Sequence, residues 1–527
     1  MSDQGSEGSE RIRAAEVIAA SCLATDLGMG FPFEHGLHAT LTSMRLVELL
    51  GVDSETASQT YYACLLMYSG CTSDAEVSSQ IFGGGMTANL TPVLFGSPIE
   101  SLAGVIRALP APDSPRYRRT YEVAKRLPMA ARHRKPAFAA LCEVATMFAE
   151  RLGLPPSVHN LFSYLTERWD GKGVLDRAKG EEIPLPLRIV HVARDVTYQR
   201  LIGGDDHAVD TIRQRAGHAF DPAIANLFVD QAAGILSVAD APESAWESTL
   251  AVEPRPWLTL EANAIDRALA AMGDFADLAS YHLAGHSTGV AGLASAAAQL
   301  CGFDASDVTL VRRAAFLHDV GRVAVHPRIW QKPGQLTADE WEQVRLHAYH
   351  TERVLFRSPF LTSLAGVACV HHERLDGTGY HRGVTAASLA PPARLLAAAD
   401  AFHAMTEPRP YREPLARKDA ADLLGEDAGA GRHDPDMVAA VLEAAGQKAP
   451  QVERPAGLTQ REAEVVGLLA RGMQTKQVAK ALDISVKTAD RHIQNAYRKI
   501  GVSTRAAATV FAMEHGLVPW GELPIFD

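Results

Sequence analysis

Six cysteines are spread over 527 residues, and no two of them form a CxxC pair. That scatter supplies no disulfide framework and no thiolate metal ribbon. Cys22, Cys64, Cys71, Cys142, Cys301 and Cys369 read as buried thiols in a reducing compartment. Aromatic residues are scarce, at 7%, and the texture is rich in Ala and Leu, which points to a mostly helical chain. No apolar run approaches the ~20 residues of a membrane span. The polar start, MSDQGSEGSE, has no signal-peptide core. A soluble, cytoplasmic protein with a disordered tail over residues 1–14 and no membrane partner is expected. Positive charge is also short overall: the net charge is −11, so contact with a polyanion must be confined to a local strip. The length predicts roughly three domains.

The second half supplies histidine and acid. His286, His318-Asp319, His347, His371-His372 and Asp400 follow in an order suited to a two-metal hydrolase. All offer nitrogen or oxygen, a donor chemistry that suits manganese or iron, and the absence of thiolate argues against structural zinc. A carboxylate such as Asp319 can bridge two cations. Two cations ~4 Å apart can hold a hydroxide and aim it at phosphorus. Two divalent transition-metal ions, Fe or Mn, are therefore the expected cofactor. The surrounding sequence is strongly helical, and neighbours on a helix point ~100° apart, so His318 and Asp319 could straddle the pair.

The first half repeats the second. With His35 placed on His286, Gly51 falls on Gly302, Asp53 on Asp304, Ala63 on Ala314, Leu66 on Leu317 and Gly70 on Gly321 without a gap. Further on, Glu167 to Gly173 matches Glu373 to Gly379, and Phe220 to Pro222 matches His433 to Pro435. This self-similarity implies two copies of one fold. The chemistry is not repeated: Met67-Tyr68 stands for His318-Asp319, Leu141 for His347, and Leu165-Thr166 for His371-His372, leaving only His35 and Asp195. The first copy is expected to hold no metal and to serve a structural, sensing or dimerising role. Residues 83 to 134 interrupt it and read as loop-rich. The expected division is a degenerate domain at 15–235, a linker at 236–262, the ligand-bearing domain at 263–446, a linker at 447–455 and a last domain at 456–527.

From Asp274 to Ala445 the sequence resembles the HD-GYP family of phosphohydrolases. The resemblance rests on His318 to Arg322, Lys332-Pro333-Gly334, His371 to Gly383, and Asp400 through Arg412. It implies an all-α bundle, a two- or three-metal centre, and hydrolysis of a cyclic dinucleotide such as cyclic di-GMP. By matching position, the seven residues above would be the metal ligands, Asp319 and Arg322 would be catalytic, and Asp376, Tyr380 and Arg382 would hold the nucleotide. Three departures stand out. Arg322 replaces a Lys, His381 replaces the Pro of Gly-Tyr-Pro, and His282 stands where three-metal members place a Glu. The last favours two metals and leaves His282 a candidate extra ligand.

The final segment carries its own signals. Thr459-Gln460-Arg461-Glu462 is a capping box, Gly472 closes the helix behind it, and helical patterns follow at about Lys476 to Leu482, Val486 to Ile500 and from Ser503 onward. The second and third, joined by the short Asp483-Ile484 turn, make a helix-turn-helix. Between Arg471 and Arg505, eight Lys or Arg oppose two Asp, a net charge of +6, which is the footprint of phosphate contact. The segment resembles the LuxR-type helix-turn-helix through Leu458-Thr459, Val478-Ala479, Ser485, Lys487-Thr488, Lys499-Ile500 and Arg505. That likeness implies DNA contact by Lys487, Thr488, Arg491, His492, Asn495 and Lys499, and a homodimer.

Two functional readings of the whole follow, beside a third in which the chain is a structural scaffold with a DNA-binding tail. In one, a transcription regulator carries a metal-dependent phosphohydrolase. In the other, the same centre binds a phosphorylated ligand without turnover and controls DNA binding.

Overall fold

The computed structural model describes residues 10–72, 92–110, 114–240, 244–448, 455–482, 484–515 and 517. The first nine residues, Asp483 and most of the linker before the last domain lie outside these. The described chain is helical apart from one two-stranded sheet. None of its helices is long and apolar enough to cross a membrane.

Two compact units are formed, one from residues 1–292, 309–369 and 407–414, the other from 293–308, 370–406 and 415–527. In the first, β1 (Arg11–Arg13) pairs antiparallel with β2 (Thr259–Glu261), Ile12 lying opposite Leu260. The tail expected over 1–14 is therefore ordered strand at Arg11–Arg13, because Ile12 and Leu260 are both buried. Behind β1 runs α1 (Ala14–Met29), apolar nearly all round and buried accordingly.

The first copy follows as α2 (His35–Leu50) and α3 (Ser54–Leu65), then α4 (Pro98–Ala108) and α5 (Arg116–Arg151). The described part of the expected loop-rich insertion is thus largely helix. Ser97 and Glu100 cap α4 reciprocally, and α5 runs through Pro128 and Pro136. The copy closes with α6 (Leu185–Arg215), interrupted at Gly204, and α7 (Pro222–Asp230). Leu46, Val192, Val196, Ile212, Phe220 and Phe228 form its core. The stretch read as a linker holds α8 (Ala245–Ala251) as well as β2, with Trp246 buried.

The second copy runs through α9 (Ala262–Asp277), α10 (His286–Leu300), α11 (Ala305–Leu317), α12 (Ala338–Leu355) and α13 (Pro359–Ala368), then α14 (Pro391–Met405), α15 (Arg417–Gly429) and α16 (Pro435–Ala444). The duplication recurs as geometry. Asp26 accepts from the Gly36 N–H as Asp277 accepts from that of Ser287. Arg188 reaches Asp221 at 2.7 Å, and Arg394 reaches Asp434 at 3.1 Å. Both aspartates cap helices that begin with Pro.

In the second unit, α14, α15 and α16 pack together. The described part of the last domain holds four short helices: α17 (Gln460–Ala470), α18 (Thr475–Ala481), α19 (Val486–Ile500) and α20 (Arg505–Glu514). The Thr459–Glu462 capping box opens α17, and Thr504 rather than Ser503 caps α20. Val465, Val478, Ala489 and Ile493 pack α17, α18 and α19 against one another.

Candidate metal centre and nucleic-acid interface

His286 is the first residue of α10 and His347 lies in α12, whereas Asp400 is on the inner face of α14. The His318-Asp319 pair sits differently from expectation. Helix α11 ends at Leu317, and the pair occupies the turn that follows, with Asp319 at φ −109° ahead of the short 3-10 segment Val320–Ala324. Leaving the helix frees both side chains from its fixed angular spacing. Close packing brings α12 to this turn: a Cβ on Gly321 would lie 2.1 Å from the His347 carbonyl oxygen, so only glycine fits. Thr351 pins the same turn by accepting from the Gly321 N–H at 2.9 Å and donating to the His318 carbonyl at 3.0 Å.

The imidazoles are oriented by what their outer nitrogens touch. His318 Nδ1 lies 2.7 Å from the Ala315 carbonyl oxygen, His347 Nδ1 2.5 Å from that of Val344, and His286 Nδ1 2.8 Å from Glu407 Oε2. Carbonyls and carboxylates accept only, so each Nδ1 carries the proton and each Nε2 presents a lone pair. All three Nε2 atoms face Asp319, at 3.3 Å from His286, 2.8 Å from His318 and 3.3 Å from His347. These four side chains are 0–1% exposed. Lone pairs of nitrogen and carboxylate oxygen at such distances repel unless a cation or proton lies among them. Arg322 supplies one positive charge, its Nη2 2.6 Å from Asp319 Oδ2. Burial alone would raise the Asp319 carboxyl, but the Arg322 guanidinium beside it holds it well below the ordinary carboxylate range.

His371 and His372 follow α13 in a turn, ring centroids 4.1 Å apart, and His372 Nδ1 is 3.8 Å from Asp400 Oδ2. The Tyr380 ring lies 4.7 Å from that of His372. Glu373 holds the loop beyond by accepting from the N–H groups of Arg382, Gly383 and Val384. Asp376 is exposed and accepts from the Thr378 N–H and hydroxyl at 2.9 and 2.7 Å, so it builds the turn. Arg382 is also exposed.

Among the described residues, His286, His318, Asp319 and His347 gather their donor atoms in the first unit, and His371, His372 and Asp400 gather theirs in the second. The seven expected ligands fall in these two sets. His282 belongs to no such group among the described residues, and its carbonyl instead accepts from Arg409 at 3.1 Å. Glu407, against His286, was not legible as a participant. The only hint of Glu407 was its place just before Arg409 and Tyr411 in the family-like stretch.

On α19, Ser485 caps the helix and its hydroxyl lies 2.7 Å from that of Thr488. Lys487 and Arg491 are exposed one turn apart, beside Gln494 and Arg498. Asn495 accepts from Arg498 at 2.8 Å, and His492 is half-buried. Lys499 reaches inward to the Gly457 carbonyl and Glu462.

Residues 271–437 match the family model of the HD domain, and residues 456–512 match that of bacterial regulatory proteins of the luxR family. The chain is therefore an HD-domain protein fused to a luxR-type DNA-binding domain, and its homologues are HD-GYP cyclic dinucleotide phosphodiesterases. Among them, the 3'3'-cGAMP-specific phosphodiesterase 3 of Vibrio cholerae is 28% identical over 435 residues, 82% of this chain and 94% of that protein. A cyclic di-GMP phosphodiesterase of Thermotoga maritima is 36% identical over 160 residues, 30% of this chain and 43% of that protein. The crystal structure of a cyclic GMP-AMP-specific phosphodiesterase from V. cholerae superposes with a TM-score of 0.56 at 25% identity, covering 83% of this chain and 98% of that one.

Proposed function

We propose that this protein is a DNA-binding regulator whose second HD copy hydrolyses a phosphodiester of a cyclic dinucleotide, such as cyclic di-GMP or 3'3'-cGAMP. The observation that carries the reading is the set of three imidazoles whose Nδ1 atoms face acceptors and whose Nε2 atoms face one buried carboxylate. Donors arranged in that way fit cations, and their oxygen and nitrogen chemistry fits two ions of manganese or iron. His286, His318, Asp319, His347, His371, His372 and Asp400 would hold them. When bound, such ions polarise a phosphoryl oxygen and lower the pKa of water.

The chain's own residues do the rest. Glu407, Ala315 and Val344 fix the ring orientations through the Nδ1 atoms. Arg322 offers a planar donor fork for the charge that develops on the phosphoryl oxygens. The Tyr380 ring, beside His372, suits stacking against a base. Exposed Asp376 and Arg382 frame the nucleotide's approach.

A second reading, binding without turnover, is favoured by one contact. Arg322 is held at 2.6 Å by Asp319, so its reach toward substrate is limited. Incubating manganese- or iron-loaded protein with cyclic di-GMP and with 3'3'-cGAMP separates the two: linear product supports hydrolysis. Saturable binding with no product supports the sensor. In both readings α19 contacts DNA through Lys487, Thr488, Arg491, His492 and Asn495, with Lys499 bracing the domain, and the protein acts as a homodimer in the cytoplasm.

A further inference from the structure

The first copy contains a buried cation with no carboxylate partner among the described residues. Arg194 on α6 is 4% exposed, and its Nε and Nη1 have no hydrogen-bond partner among the described residues. The carboxylate next to it in sequence is already committed, since Asp195 accepts from Arg215 at 2.5 Å and from Gln199 at 3.1 Å. The guanidinium instead lies 4.3 Å from the Tyr68 ring centroid and 5.7 Å from that of Phe95. Tyr68 stands where the second copy has Asp319, so the guanidinium is in the neighbourhood that the other copy devotes to metal ligands.

Two imidazoles face the same cluster. His35, stacked on Phe31 at 4.2 Å, and His191, 5.1 Å from the Phe95 ring, are 4% and 2% exposed, and their Nε2 atoms have no partner among the described residues. Burial pushes both rings down to about 3, helped by His38 at His35 and by Arg194 at both, so they are neutral at physiological pH. The His191 ring is hydrogen-bonded to the Leu165 backbone, which leaves Nε2 as an acceptor. The next residue, Thr166, has a buried hydroxyl that also lacks a partner among the described residues.

We infer that the first copy binds a phosphate group that retains a proton, with Arg194 gripping its anionic oxygens, His191 accepting from its P–OH and His35 facing the same cluster. The chemistry is complementary in detail. A guanidinium edge donates to two oxygens, neutral imidazole nitrogens need a donor, and a hydroxyl can serve either way. Hydrogen phosphate and phosphomonoesters carry both features, whereas sulfate, of the same shape, carries no proton at neutral pH. The phosphate could be free or the terminal phosphate of a nucleotide. This inference does not depend on the activity of the second copy.

The test uses the full-length protein stripped of metal by chelator, so that the second copy offers no cation for phosphate. Thermal unfolding at pH 6.5 is followed with inorganic phosphate, with 5'-GMP, and with sulfate at matched ionic strength. Phosphate is expected to raise Tm by several degrees and sulfate not to. An equal shift with 5'-GMP identifies an ester as ligand, and a silent 5'-GMP identifies free phosphate. The shift should vanish in Arg194→Met and in His191→Leu, the latter serving if the former does not fold. No shift with phosphate, an equal shift with sulfate, or a shift that survives both substitutions overturns the assignment.

Discussion

Replacing Glu407 with Leu tests the argument about imidazole orientation without touching a proposed principal ligand. Glu407 Oε2 accepts from His286 Nδ1 at 2.8 Å and pairs with Arg409 at 2.9 Å. Losing that acceptor frees the His286 ring to rotate or to shift its proton to Nε2, the atom that faces Asp319 at 3.3 Å. Outer partners of ligating histidines typically contribute 10–100-fold in metal affinity. In free energy that is about 1.4–2.7 kcal/mol, which is the magnitude of one charge-assisted hydrogen bond in a buried site. The assay is competition between the protein and a fluorescent chelator for Mn²⁺, run beside circular dichroism to confirm the fold. A folded Glu407→Leu protein with manganese affinity within about twofold of wild type would refute the reasoning. Glu407→Gln should fall between the two, because its amide oxygen still accepts but carries no charge.

Other outcomes are expected. Gly321→Ala places a methyl 2.1 Å from the His347 carbonyl oxygen and 2.4 Å from the Thr351 nitrogen. It should cost about 1–3 kcal/mol in urea unfolding and weaken metal binding, and a neutral result would mean that α12 is not tightly seated there. His191 has a folded-state value lowered to about 3 from 6.5. The folded protein therefore binds fewer protons than the unfolded chain in that window, and stability falls as pH drops through it. Between pH 6.5 and pH 5 the loss from this one ring is about 2 kcal/mol. The metal-stripped His191→Leu variant should lose correspondingly less over the same interval, and parallel pH curves would contradict this. Lys487→Ala and Arg491→Ala should each flatten the salt dependence of DNA affinity by about one unit of slope if they meet phosphates. Retention of the full slope in both would move the DNA contact elsewhere.

The sequence was most legible where chemistry is carried by residue identity at short range. The Thr459–Glu462 box acts over a few residues and forms as expected, and Ser485 caps α19 by the same short-range logic. The ligand set could be proposed because seven nitrogen or oxygen donors recur in a recognisable order. What escaped was set by distance in the chain. The pairing of His286 with Glu407 spans 121 residues, and that of Arg13 with Glu253 spans 240, so no local pattern marks either. The turn at His318-Asp319 was read as helix because Val311 to Leu317 before it is an apolar stripe, and only the packing of α12 on Gly321 shows why the helix stops. Proline and glycine density made the insertion read as loop, yet the Ser97–Glu100 box starts a helix within it, and Pro128 and Pro136 are accommodated inside α5. Arg194 was invisible as a feature, since an isolated arginine in sequence says nothing about whether its partner is missing.

The central claim is that three imidazoles converge on Asp319 because cations belong there. Elemental analysis of protein purified without oxygen, beside its Asp319→Ala variant, addresses that claim most directly. The account predicts about two equivalents of manganese or iron per wild-type chain, given one bridging carboxylate, and a folded variant depleted of them. Metal-free wild type after loading with either ion, or a variant that retains the wild-type content, would contradict it.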